Sequence, residues 1–333
     1  MQKYALAYAM NDSLPVFTKE DLNCLTHINL AFGLVKGNEL DISMLTNIGL
    51  TEKFRQWRPE MKIILSVGGW GAGGFSEMSM TQKGRESFAG SCLEAVERFG
   101  LDGIDIDWEY PCSSQAGIDS DPKDRENFTL LLKALRERLG SCSLSIAAGA
   151  GEYFIEGTEL AEVADIVDYV QIMTYDMRNG FMNEAGHHAA LRPGAGDSSG
   201  LSTVDMVELF HKAGVPLEKL IIGAAFYSRK WDGVEDENNG LLQHASTTGQ
   251  GGPGYSDITE EFIAEGGYKK YWDEQAGAAY LWNGSTFISY EDPEAIALKC
   301  RYVKEAGLGG IMYWEHGCDK THTLVEVIGR ELG

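Results

Sequence analysis

Eight short apolar runs recur along the chain, and they constrain its fold more than any other feature. They are Tyr4–Ala9, His27–Val35, Lys62–Val67, Gly103–Trp108, Ser143–Ala148, Tyr169–Tyr175, Leu220–Tyr227 and Gly310–Trp314. Most are nearly continuous in hydrophobicity, the pattern of strands buried on both faces. Helical patterns lie between them. Arg85–Phe99 carries Phe88, Cys92, Val96 and Phe99 on one face, and Gly100 follows as a stop. Asp124–Leu139 and Thr203–Ala213 show the same periodicity, each followed by glycine. Asp292-Pro293-Glu294 opens another helix with a cap, a first-turn proline and an acid. Strand then helix, repeated, argues for parallel strands joined by right-handed crossovers. Eight such units predict an α/β protein built as a closed (β/α)8 barrel.

One interval breaks the rhythm. From Leu220 to Gly310 the chain is too long for a single crossover, and Arg229–Thr286 is rich in Gly, Asn and aromatic residues. Its strand-like pieces are Leu241–His244, Ala278–Trp282 and Thr286–Tyr290. We expect a barrel of residues 1–229 and 287–333, with an α+β insertion at 230–286 on the loop after strand seven. Such loops form the active face of a barrel, so the insertion should wall a cleft.

Composition narrows the partners. Fifty acidic against 28 basic residues give a net charge of −22, which disfavours nucleic acid and anionic membranes. No run approaches the ~20 apolar residues of a membrane span. Neither a secretory leader nor a CxxC pair is visible, and the six cysteines are scattered. The expectation is a cytoplasmic protein with reduced thiols, or a secreted one if a leader has been removed. The sequence leaves the oligomeric state open.

The most informative segment is Leu101–Tyr110, LDGIDIDWEY. Alternation along a strand puts Asp105, Asp107 and Glu109 on one face and Ile104, Ile106 and Trp108 on the other. In a barrel the acidic face points inward. Three charged, unpaired carboxylates there would be severely destabilising, so they must share protons or hydrogen bonds. At least one pKa should rise. Asp102 has the opposite parity and should brace locally. Glu109 comes last, where the strand opens onto the active face, and a raised pKa there suits a general acid.

This segment resembles the DxxDxDxE signature of glycoside hydrolase family 18, the chitinase family, through Asp102, Asp105, Asp107 and Glu109. Ser66-Val-Gly68-Gly69-Trp70 is similar to the family's SxGG motif, and Met173-Thr-Tyr175-Asp176 to its MxYD motif. Gly223–Arg229 and Met312-Tyr-Trp314 resemble its seventh and eighth strands, and Tyr268–Pro293 its small insertion. The matches run in order from the third strand to the eighth.

The resemblance implies retaining, substrate-assisted hydrolysis of β-1,4-linked N-acetylglucosamine polymers or oligomers, with chitin or chito-oligosaccharide as the partner. The 2-acetamido oxygen of the sugar would attack C1. Glu109 would protonate the leaving oxygen and then deprotonate water. Asp107 would orient the acetamido group, Asp105 would hold or receive a proton, and Tyr175 would donate to the acetamido carbonyl. Trp314 would floor the reacting sugar. Trp70, Tyr227, Arg229, Met173, Asp176, Tyr8 and Phe32 would line the cleft. Gly68 and Gly69 would leave room where a Cβ would intrude on the sugar. No metal and no cofactor are expected. The alternatives are a relative acting on peptidoglycan, spore cortex or an N-glycan core, and a non-catalytic chitin-binding lectin. His187-His188 is expected to be a surface pair, and Trp282 a core residue. Cys112 and Cys318 are expected to be bystanders.

Overall fold

Eight parallel strands close into a barrel in the computed structural model, which describes residues 3–333. They are Tyr4–Met10, His27–Lys36, Lys62–Gly68, Gly103–Asp107, Ser143–Gly149, Tyr169–Met173, Leu220–Ala225 and Gly310–Trp314. Each pairs with the next, and the eighth returns to the first through Tyr4 opposite Gly310 and Ala7 opposite Tyr313. The eight runs read from hydrophobicity are these strands.

Helices surround the barrel as the periodicity predicts. Gln82–Phe99 begins one turn earlier than its apolar stripe because the Thr81 hydroxyl accepts from the Gly84 N–H. It ends at Gly100, at φ +60°. Pro293–Glu305 starts under Asp292, whose carboxylate accepts from the backbone N–H groups of Glu294 and Ala295. Between barrel and helices lies a continuous apolar layer. Trp108 anchors it on strand four, stacked on Phe75 (5.3 Å between ring centroids) and edge-on to Phe128 (5.8 Å). Asp102 braces the foot of that strand by accepting from Arg55 (2.7 Å), Lys62 (3.0 Å) and the Ile63 N–H (2.9 Å). Among the described residues, no helix is long and apolar enough to cross a membrane.

After strand seven the chain leaves the barrel to build a five-stranded antiparallel sheet. In spatial order its strands are Gln250–Gly254, Tyr227–Asp232, Thr286–Tyr290, Ala278–Trp282 and Lys269–Asp273. The strands that open and close this excursion straddle the expected limits at 230 and 286. Leu241–His244 is not a strand. Positive φ at Asn238, Asn239, Gly240 and Leu242 bends the segment, which makes one isolated bridge, Glu184 to His244. Gly240 faces the ring of Trp282, where a Cβ would come within 2.6 Å. Trp282 is a core residue of the insertion, clustered with Trp231, Tyr280 and Phe287. A buried ion pair joins insertion and barrel. Glu291 Oε1 lies 2.8 Å from the Lys299 ammonium, and its Oε2 accepts from the Ala225 N–H at the end of strand seven (2.6 Å).

Candidate active site

Strand four carries Asp105 and Asp107 up the inside of the barrel, Glu109 follows two residues past its end, and all three are buried. Register explains how the lowest is tolerated. Asp105 lies opposite Ser66 on strand three and Ser145 on strand five. Both hydroxyls donate to it at 2.7 Å. Tyr8 donates from strand one at 2.8 Å and the Gln171 amide from strand six at 2.9 Å. Gln171 is itself held by the Asn29 amide at 2.9 Å. Burial raises the pKa of Asp105, and these four donors work against it by favouring the charged form.

Asp107 has no such support. Its Oδ1 is buried without a partner. Burial, then the charges of Glu109 and Asp105, push its pKa well above the ordinary carboxylate range. Glu109 at the mouth rises to about 7, chiefly through burial. Hydrogen bonding from Tyr110 opposes that rise, and the charge of Asp176 adds to it. Burial thus raises the proton affinity of all three carboxyl groups, and hydrogen-bond donors oppose it most strongly at Asp105.

Asp176, in the left-handed region at φ +53°, faces strand seven's extension. Arg229 grips it with two bonds, Nε to Oδ1 and Nη2 to Oδ2, each 2.6 Å. Burial opposes ionisation, yet Arg229 and His188 outweigh it and hold the carboxyl well below its usual range. Tyr175 lies beside Tyr227 (6.0 Å, edge-on), with its hydroxyl 3.7 Å from the Met312 sulfur. Met173 is buried at the end of strand six.

Trp314 ends strand eight, stacked on Phe32 at 5.4 Å and 17° and leaning on Tyr8 at 5.9 Å. Trp70 is 55% exposed, within 6.3 Å of Tyr110 and 6.4 Å of Phe181. Tyr8 is fully buried and serves the acid network under the mouth, so its hydroxyl is spent on Asp105.

One expectation changes, and another gains a packing reason. Gly68 and Gly69 both lie tight against protein atoms. A Cβ on Gly68 (φ +124°) would sit 2.0 Å from the Asp107 carbonyl oxygen, and one on Gly69 would strike the Phe32 ring at 2.7 Å. The pair His187-His188 is not a surface feature. His188 is enclosed, its backbone N–H donating to Ser289 at 3.0 Å and its Nδ1 lying 3.4 Å from Asp176. His187 packs edge-on against Tyr280 of the insertion at 5.6 Å.

Several contributors escaped the sequence reading: Gln171, Asn29, Ser145, Tyr110, His188 and Phe181. The first three had a usable signal. Each is a lone polar residue at an inward position of an apolar strand, where it needs a partner.

Comparison with known proteins gives one answer. The model of glycosyl hydrolases family 18 matches residues 5–319. A solved family 18 N-acetylglucosaminidase from Paenibacillus barengoltzii superposes with a TM-score of 0.96 at 47% identity, covering 99% of each chain. Chitinase ChiW from Paenibacillus sp. str. FPU-7 superposes with a TM-score of 0.93 at 33% identity, covering 99% of this chain and 33% of its own. Chitinase A1 of Niallia circulans is 36% identical over 325 residues, which are 89% of this chain and 46% of that protein. Endochitinase 1 of Metarhizium robertsii is 31% identical over 82% of this chain and 66% of its own length. The chain thus spans about half to two-thirds of these curated relatives. With its barrel, its acidic fourth strand and its match across residues 5–319, the chain belongs to glycosyl hydrolases family 18.

Proposed function

We propose that this chain hydrolyses β-1,4-linked N-acetylglucosamine oligomers with retention, using the substrate's own 2-acetamido oxygen as nucleophile. One observation carries the reading. Glu109 is a buried acid at the barrel mouth with its pKa near 7, and Asp176 beside it is committed to Arg229. Membership of glycosyl hydrolases family 18, a substrate-assisted family, supports a nucleophile that arrives with the sugar.

The acetamido oxygen attacks C1 as Glu109 gives its proton to the leaving glycosidic oxygen. The C1–O bond breaks and a cyclic oxazolinium ion forms. Glu109, now a carboxylate, takes a proton from water, whose oxygen adds to C1 from the vacated face as the bond from C1 to the acetamido oxygen breaks, which restores the amide and the β-configuration. Asp107 accepts the acetamido N–H and offsets the developing positive charge. The Tyr175 hydroxyl donates to the acetamido carbonyl before attack. The Trp314 indole stacks under the reacting ring, and Tyr227 and Arg229 bind beside it.

The test is a Glu109→Gln variant assayed on a chromogenic chitobioside. Loss of a general acid should lower kcat by at least ~100-fold. Wild-type rates in that variant would refute the assignment. A second reading, release of terminal N-acetylglucosamine, is favoured by the Paenibacillus barengoltzii enzyme, which this chain matches over 99% of both lengths. Products from chitopentaose separate the two: monomer plus tetramer from the first turnover for terminal release, dimer plus trimer for internal cleavage.

A further inference from the structure

Strand eight leads into a second cluster of ionisable groups, built by elements the proposed chemistry does not use. His316 follows Trp314 by two residues and is almost fully buried. Phe17 stacks flat on its ring, 3.6 Å between centroids at 7°. The Tyr313 hydroxyl lies 2.9 Å from its Nδ1, which fixes the ring and turns Nε2 towards Asp21. Asp21, also buried, sits in the helix Lys19–Cys24, where its Oδ2 accepts from both the N–H and the hydroxyl of Thr18 at 2.7 Å. Its Oδ1 lies 2.9 Å from the Nδ1 of His322, the residue that opens the last helix, Thr323–Leu332.

One atom in this cluster lacks a partner. His316 Nε2 is 3.7 Å from Asp21 Oδ2, beyond a hydrogen bond, and is satisfied by nothing else. Leaving such an atom buried and unpaired is destabilising. The three ligand atoms all lie within 4.8 Å of one another. We propose that Asp21, His316 and His322 bind a zinc ion, with water in the fourth position beside the partly exposed His322. Zinc–nitrogen and zinc–oxygen bonds of ~2.0–2.2 Å set ligand atoms ~3.3 Å apart in a tetrahedron. The observed separations, 2.9 Å from His322 Nδ1 to Asp21 Oδ1 and 3.7 Å from His316 Nε2 to Asp21 Oδ2, lie on either side of that edge, so a small turn of the carboxylate suffices.

The surroundings suit a metal. Two imidazoles and a carboxylate match zinc's preferences. Tyr313 and Thr18 supply the outer contacts that orient His316 and Asp21. The ion would join the first helix, the loop after strand eight and the last helix, across the seam where the two ends of the barrel meet. It would hold the backbone that carries Trp314.

Tag-free protein, stripped with EDTA, dialysed against ZnCl2 and then against metal-free buffer, should retain one zinc per chain by elemental analysis. Its Tm should rise by about 4 °C at zinc a hundredfold above its dissociation constant. Co2+ should give the visible bands of a tetrahedral site. Asn tolerates the left-handed backbone at position 322 (φ +61°), so His322→Asn keeps the fold while removing a ligand. That variant should lose the retained zinc and the Tm shift. Sub-stoichiometric zinc with equal Tm in ZnCl2 and EDTA would overturn the proposal. So would wild-type zinc retention in His322→Asn, which would put the ion elsewhere.

Discussion

Replacing Glu109 with glutamine should abolish catalysis and, above neutral pH, make the protein more stable. Burial is the largest cause of the rise of the Glu109 pKa from 4.5 to about 7. Between those values the folded state keeps a proton that the unfolded chain has released. Stability therefore falls as pH rises through this window. At ~1.4 kcal/mol per pH unit, the full loss is about 3 kcal/mol. Glutamine has nearly the shape of the protonated acid and cannot ionise, so the variant escapes that loss. Thermal unfolding followed by circular dichroism at pH 5 and pH 8 checks this. The variant should melt about 1 °C above wild type at pH 5 and about 4 °C above it at pH 8, for a chain of this length. An equal gap at the two pH values would show that Glu109 is not held protonated by its surroundings. A variant less stable than wild type at pH 8 would refute the same reasoning more strongly.

Other perturbations follow from named contacts. Gly68→Ala forces a Cβ to within 2.0 Å of the Asp107 backbone at positive φ, and should cost at least ~3 kcal/mol in a urea melt and lower kcat by displacing Asp107. Gln171→Leu removes a donor from buried Asp105 and should cost ~1–3 kcal/mol. It should also raise the pKa of Asp105 and shift the pH profile of kcat/KM, whereas a purely structural role would leave that profile unchanged. Lys299→Met leaves Glu291 buried without its cation, and should destabilise by ~3–5 kcal/mol at pH 7, measured by guanidinium unfolding.

Much of this was legible because a barrel strand is a simple object. Its side chains alternate, its hydrophobicity is continuous, and exceptions to that continuity carry meaning. Asp105, Asp107 and Glu109 were visible as three such exceptions in one run. The supporting polar residues were visible in principle as single exceptions, Asn29 in one strand and Gln171 in another. Which of them meet depends on strand register, and a linear pattern does not supply register. Contacts made by the insertion were not legible. Arg229 reaches Asp176 across 53 positions, and Ser289 covers His188 across 101. A pair of histidines in a polar loop has the composition of a surface until another sheet is laid over it. The packing of Gly68 and Gly69 against Asp107 and Phe32 was not legible, because local sequence does not reveal the neighbour that a missing side chain spares.

The five-stranded sheet departs from the barrel and rejoins it through adjacent strands, with Arg229 paired to Ser289 and Trp231 to Phe287. The excursion therefore begins and ends at one doubled stem, and it is also bonded to loops of the barrel, Trp231 Nε1 donating to the Met182 carbonyl at 3.0 Å and the Ser256 hydroxyl to the Cys318 carbonyl at 2.9 Å. Loops outside these contacts can lengthen, shorten or be exchanged without disturbing the tube that holds the acids. In such an architecture the depth of the groove and the reaction at its base are separately inheritable, so relatives can diverge in how they grasp a polymer while keeping one way of cutting it.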